Sequence, residues 1–252
     1  MKALFADKEF NAKHRLGAVN SINWARILAQ TVYYFLSYFH LRRQLAATLN
    51  PEELVRAKIQ YVVPTGNFGD ILAGYYAKRM GLPIDRLVVA TNSNDILARF
   101  WRSGAYEKVD SHGVAANGAA APAEGSSDGK QSADASGVKE TLSPAMDILV
   151  SSNFERLLWY LAYEGLEKAD AETRRGASET VNTWMQQVKT DGRVQVPIEV
   201  LELARRDFLA ERVSDEQVSY LLAEVSEVGL KHIVPDFRDY SSLLRVGTLI
   251  YC

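Results

Sequence analysis

Residues 58–104 alternate between strand-like and helix-like patterns in a fixed order, and that order limits the fold more than any other feature of the chain. KIQYVV (Lys58 to Val63) is a short run of β type. ILAGYYAKRMG follows with a helical pattern and is stopped by Gly81 and Pro83. RLVVAT (Arg86 to Thr91) is a second strand pattern. Asn92, Ser93, Asn94 and Asp95 then make a polar turn, and DILARFWRSG is a second helix pattern ending at Gly104. Strand, helix, strand at this spacing is a βαβ unit, which implies parallel strands and a right-handed crossover.

Upstream of this unit, apolar residues fall at positions 24, 27, 28, 32, 35, 36 and 39, a helical period. Tyr33, Tyr34 and Tyr38 lie on the other side. The helix is therefore expected to be covered on more than one face, either by a subunit or domain contact or by burial in a large core. The uncharged run Ile27 to Leu41 is shorter than the roughly 20 residues of a membrane span. It also contains Gln30, Thr31, Ser37 and His40, and it reads as a buried helix.

From His112 to Lys139 the chain is Ala, Gly, Ser and Asp with almost no large apolar residue. Such a stretch buries too little surface to offset its ordering entropy, so a disordered surface insertion is expected. Ser152 and Glu155 form a capping-box pattern before FERLLWYLAYEGL, and Ser214 with Gln217 repeat it before VSYLLAEVSEVG. The segment from Asn153 to Gly229 reads as mostly helical. The expected organisation is an α/β part over 1–111, the low-complexity insertion over 112–140, and a mainly helical continuation over 141–252.

The 252 residues, 47% of them hydrophobic, suffice for a real core. With 29 Lys and Arg against 31 Asp and Glu, no basic field points to nucleic acid. The one cysteine, Cys252, gives neither a disulfide framework nor a cysteine metal cluster within one chain, which suits a reducing compartment. The N-terminus MKALFADKEF lacks the apolar segment of a secretory signal. A cytoplasmic protein without nucleic-acid or membrane partners is expected. His14, His40, His112 and His232 show no metal or triad spacing, and no metal is expected.

The turn Thr65-Gly66-Asn67-Phe68-Gly69-Asp70 joins the first strand to its helix. A helix start leaves backbone N–H groups unpaired where the dipole is positive, a good place for phosphate. The glycines permit positive φ and close approach of a ligand. The peptide N–H groups are then the natural ligands, and the Thr65 and Asn67 side chains can add hydrogen bonds. The pattern lacks the Gly-Lys-Ser/Thr end of a nucleotide P-loop and the third glycine of a dinucleotide fingerprint. A tight turn that needs glycine for packing alone fits the bare pattern slightly better. Asp70 would repel a phosphate dianion and reads as a cap turned back onto backbone donors.

VVPTGNFGDILAGYYAKRMGLPIDRLVVATNSNDILARF resembles the threonine synthases of fungi and bacteria. So do NSINWARILAQTVYYF upstream and LSPAMDILVSSNFERLLWYL downstream. The resemblance runs from about Lys2 to Arg212, excludes the insertion, and fades into a divergent tail over about 230–252. It implies a pyridoxal-phosphate enzyme of α/β class: an open, mostly parallel sheet with flanking helices (pyridoxal-phosphate fold type II), here incomplete. The implied reaction converts O-phospho-L-homoserine and water to L-threonine and phosphate. By the same resemblance Gly66, Asn67, Phe68 and Gly69 cup the cofactor phosphate, with Asp70 as a neighbour. Asn20, Ser21 and Asn23 precede a helix and either cap it or contact cofactor or substrate. Ser143 and Asn153 read as capping and turn residues.

The family's Schiff-base lysine lies in a Phe-Lys-Asp context that this sequence lacks. Lys58, Lys78 and Lys108 do not replace it by motif, so no catalytic residue is assigned. The family's Asp-Pro-His-Thr-Ala block is also absent; the sequence reads KHIVPDFRDYSSLLRVGTLIYC instead. The expectation is a fragment of a threonine synthase that is inactive alone, poorly soluble, and of open oligomeric state. The alternative is a non-catalytic relative that binds pyridoxal phosphate or a phosphorylated amino acid. A β-replacing synthase or a dehydratase of the same fold is disfavoured by the NSINWAR and SPAMDI blocks.

Overall fold

The structure, a computed structural model, describes residues 7–17, 20–109, 138–165, 171–214 and 217. The disorder expected of the insertion and the divergence of the tail concern stretches that fall, almost wholly, outside these residues. The elements are α1 (Lys8–His14), α2 (Trp24–Leu45), α3 (Pro51–Arg56), β1 (Ile59–Pro64), α4 (Gly69–Arg79), β2 (Ile84–Thr91), α5 (Ile96–Ser103) and β3 (Ala105–Glu107). After a 3-10 turn at Pro144–Met146 come α6 (Phe154–Glu164), α7 (Ala171–Thr190), β4 (Arg193–Gln195), α8 (Ile198–Asp207) and β5 (Phe208–Arg212).

β1 and β2 pair in parallel, with Val62 opposite Val88 and Val63 opposite Val89, and α4 links them. The strand–helix–strand expectation therefore holds. β2 is central, and its run Leu87 to Thr91 is buried, as suits a strand covered on both faces. Its other neighbour is β5, also parallel, with Val88 opposite Leu209 and Val89 opposite Ala210. β3 and β4 form a separate antiparallel pair. Among the described residues the sheets are open, mostly parallel and flanked by helices.

Helix predominates among the described residues of 153–229, as expected, but β4 and β5 are strands that the sequence reading did not give. FLAER consists largely of good helix formers, so local propensity favours continuing α8. Pairing with β2 overrides it. Asp207 closes α8, and its Oδ1 meets Lys78 Nζ from the last turn of α4 at 2.9 Å. The part of the chain after the insertion thus contributes a strand to the sheet begun before it.

α2 differs from expectation in which side is covered. Asn23 caps it, its Oδ1 accepting from Ala25 N at 2.9 Å. The buried positions are Ile27, Thr31, Tyr34 and Tyr38. Tyr34 packs against Gly74 of α4, where a Cβ would come within 2.6 Å of its ring. Its hydroxyl donates to Asp70 O at 3.0 Å, and Tyr61 of β1 donates to Tyr34 O at 3.1 Å. Polar tips that find partners let tyrosines occupy the core face. Trp24, Leu28, Val32, Leu36 and Phe39 are exposed among the described residues, Leu36 at 65%.

The two capping boxes part ways. Ser214 and Gln217 make both reciprocal bonds, at 2.8 and 3.3 Å. At α6 the cap position is Asn153 and no side chain caps it. Ser152 Oγ instead donates to Asn67 Oδ1 at 3.0 Å. Tertiary contact with the glycine turn has taken the serine that the local pattern assigned to the helix. Among the described residues no helix is long and apolar enough to cross a membrane, and no cluster of His, Cys, Asp and Glu could hold a metal ion.

Candidate functional site

The turn from β1 to α4 begins with Thr65, whose N–H still pairs with Ala90 O of β2 at 2.8 Å. Past that point the ladder ends. Among the described residues, no protein acceptor takes the N–H groups of residues 66–71. They form a run of free donors at the positive end of an 11-residue helix. A free N–H costs stability when shielded from water, so such a run calls for a ligand or water.

The positive φ lies elsewhere than expected. Phe68, not a glycine, holds the left-handed conformation, with φ 63° and ψ 6°. A bulky residue keeps that backbone only when its surroundings over-determine it. Its side chain is buried among Phe154, Phe208 and Trp101, with ring centroids at 5.3, 5.9 and 6.1 Å. Phe68 therefore offers a ligand its N–H and no side chain.

Gly66 serves close approach. A Cβ there would meet Ala145 O at 2.5 Å and Met146 Cα at 3.1 Å. The turn containing Ala145 is held by a polar clasp. Asn92 Nδ2 donates to Asp147 Oδ1 at 2.7 Å and to Thr141 Oγ1 at 2.8 Å, while Lys139 N donates to Asn94 Oδ1 at 2.9 Å. The polar turn after β2 thus fixes residues 139–147 against the glycine turn. At Gly69 the neighbours are looser: Asn153 Nδ2, Gln30 Oε1 and Ser21 O lie 3.5 to 3.8 Å from a Cβ position.

Thr65 and Asn67 spend most of their side-chain capacity on the protein. Thr65 Oγ1 donates to Val63 O at 2.6 Å. Asn67 Oδ1 accepts from Ser152, and nothing among the described residues accepts from its Nδ2. Asn153, fully buried, ties the site together. Its Nδ2 donates to Asn67 O at 2.8 Å and to Ser21 O at 2.9 Å, and its Oδ1 accepts from Arg156 Nη1 at 2.9 Å. Ser21 reaches the loop through this carbonyl. Asn20 and Asn23 have turn and cap roles, Asn20 Oδ1 accepting from Ile22 N at 3.0 Å.

Asp70 does not cap. Its Oδ1 is buried without a partner among the described residues. Desolvation raises its carboxyl from 3.8 to about 6. The cap expectation fails because Asp70 lies inside the first turn, one residue beyond Gly69, with Phe68 in the cap position.

No family model matches the chain. It is 50% identical over 238 residues to the threonine synthase of Saccharomyces cerevisiae, covering 94% of this chain. The chain is a homologue of the threonine synthases. It spans about 39% of the length of that curated relative. The crystal structure of a yeast threonine synthase superposes with a TM-score of 0.68 at 49% identity, over 90% of this chain and 36% of that one. The pyridoxal-phosphate-bound threonine synthase of Brucella melitensis superposes with a TM-score of 0.65 at 38% identity, over 90% and 39% of the two chains.

In this threonine synthase homologue Lys58 and Lys78 lie away from the turn. Lys58 precedes β1, whose six residues put about 20 Å of strand between it and the loop. Lys78 is in the last turn of α4, held by Asp207 and by Asp85 O at 2.7 Å. Lys108 follows β3, with its N–H on Gly192 O. His14 packs on Phe10, His40 meets Gln44, and His112 and His232 lie outside the described residues. Sequence reasoning missed the bridging role of Asn153. An asparagine ahead of a helix gives the same local signal whether it caps its own helix or reaches a distant carbonyl.

Proposed function

We propose that the turn cups the phosphate of pyridoxal 5'-phosphate and that this chain serves threonine synthase chemistry, O-phospho-L-homoserine and water giving L-threonine and phosphate, in the cytoplasm. The observation that carries the reading is the run of unpartnered N–H groups at residues 66–71, heading α4. Their number and position suit a phosphate, which accepts several backbone donors at once. Gly66, Asn67, Phe68, Gly69 and Asp70 supply the N–H groups, Asn67 Nδ2 adds a side-chain donor, and Asn153 sets the loop's shape through the Asn67 carbonyl. The bound cofactor supplies an electron sink for carbanion chemistry, and the protein supplies position and polarisation.

The placement of Lys58 and Lys78 away from the loop favours a second reading, a phosphate-binding chain without its own nucleophile. Two measurements on the 252-residue chain test both. Pyridoxal 5'-phosphate should bind at least tenfold more tightly than pyridoxal, which lacks the phosphate; equal affinities refute the phosphate cup. Borohydride reduction followed by peptide mapping then separates the readings. One stoichiometric lysine adduct supports catalysis by this chain, followed by a phosphohomoserine assay. Scattered substoichiometric labelling supports binding alone.

A further inference from the structure

Asp70 is the acidic residue in the first turn of α4, and it stands where a negative charge is hardest to keep once an anion arrives. Its Oδ1 is shielded and has no hydrogen-bond partner among the described residues. The Tyr34 hydroxyl goes to its backbone carbonyl, not to its carboxylate. The N–H groups of residues 66–71, which no acceptor among the described residues takes, include Asp70's own, so an anion held by them lies within a residue or two of its carboxyl group along the chain.

The elements that touch this turn are α2, α6 with its leading loop, the 3-10 turn at Pro144–Met146 and, through Phe68, α5 and β5. Their charged or titratable groups nearest in sequence to those contacts are Arg26 and Tyr34, Glu155 and Arg156, Asp147, Arg102 and Asp207. Arg156 is engaged by Asn153 Oδ1 and by Ile22 O, at 2.9 and 2.7 Å. Arg26 and Glu155 are exposed. Desolvation accounts for the raised carboxyl, and no cation among the described residues offsets it.

Resting on the phosphate-loop reading, we propose that Asp70 is the proton-holding group of the loop, taking up one proton from solvent when a phosphate-type dianion enters. The proton goes onto a carboxylate oxygen, and no covalent bond to the ligand forms. A charged Asp70 repels the dianion in a site of low dielectric. A neutral Asp70 removes the repulsion and adds an O–H donor. Anion affinity is then independent of pH where the free carboxyl is already protonated. It falls as pH rises above that range, by about tenfold per pH unit when one proton is coupled.

Sulfate is the probe for the test, because it remains a dianion across the working range and adds no titration of its own. Calorimetric titration of the full chain from pH 5.5 to 8, in two buffers of different ionisation heat, reads both affinity and proton uptake. The expected result is about a tenfold loss of affinity per pH unit above pH 6 to 6.5, with close to one proton taken up at pH 7.5. Asp70→Asn should flatten the profile, abolish the uptake and bind sulfate more tightly than the native chain at pH 8. Glu155→Gln should keep the slope. A native chain that binds sulfate without slope or uptake overturns the proposal, and so does Asp70→Asn that retains them. Uptake by the native chain is measured without any variant, so a poorly folding Asp70→Asn does not remove the test. Absence of sulfate binding in every form and at every pH overturns the phosphate-loop reading and this proposal with it.

Discussion

The side-chain amide of Asn153 donates to the carbonyl of Asn67 at 2.8 Å, across 86 residues of sequence, and to that of Ser21 at 2.9 Å. One buried side chain therefore holds the glycine turn, the segment ahead of α2 and the start of α6 in register. Asn153→Ala should cost about 1–3 kcal/mol, because it leaves Ser21 O without this donor and weakens the hold on Asn67 O. Urea denaturation measures the loss. A phosphate-type ligand should also bind more weakly, since the loop loses its fixed shape. Unchanged stability and binding would remove Asn153 from the site.

Gly66 and Gly69 should respond differently to the same change. Gly66→Ala drives a Cβ to 2.5 Å from Ala145 O, backbone that the clasp from Asn92 to Asp147 keeps from yielding. Overpacking of this kind costs about 1–3 kcal/mol. Gly69→Ala meets only ordinary contacts from 3.5 Å outward and should change stability by less than about 0.5 kcal/mol. Thermal melts of the two variants check the contrast, and the reverse order would contradict it.

Asp70 also makes the stability of the unliganded chain depend on pH. Its folded carboxyl, near 6, lies above the ordinary 3.8. The folded state therefore holds more protons than the unfolded one between those values. The stabilising contribution is complete below pH 3.8 and is lost as pH rises through 6. Asp70→Asn should be more stable than the native chain at pH 8, by up to about 3 kcal/mol, with the gap narrowing towards pH 4. Denaturant midpoints at pH 5 and pH 8 give the sign.

Neighbouring apolar residues of α2 should differ sharply. Ile27 is fully buried, and Ile27→Ala should cost about 2–5 kcal/mol. Leu28 is 49% exposed, and Leu28→Ala should fall within about 0.5 kcal/mol. Equal losses in a denaturation series would show that both faces of α2 are covered in solution.

The strands and helices of residues 58–104 were legible in the sequence because each is local. A β-branched run, a helical period and a stopping Gly or Pro act within a few residues of one another. The donor-rich start of α4 was legible for the same reason: any strand that turns directly into a helix leaves N–H groups free there. Which residues answer those groups was not. β5 reads as helix until β2 pairs with it, and Ser152 reads as a cap until Asn67 claims its hydroxyl.

Sequence by itself determined the βαβ unit, the glycine turn and the threonine synthase likeness, all carried by short-range pattern. Tertiary structure alone decided which face of α2 is buried, that Phe68 and not a glycine takes the left-handed backbone of the turn, that Asp70 Oδ1 finds no partner among the described residues, and that Asn153 bridges the site. Each of these depends on groups far apart in sequence meeting in space, where burial and the need to satisfy every buried polar atom outweigh local propensity.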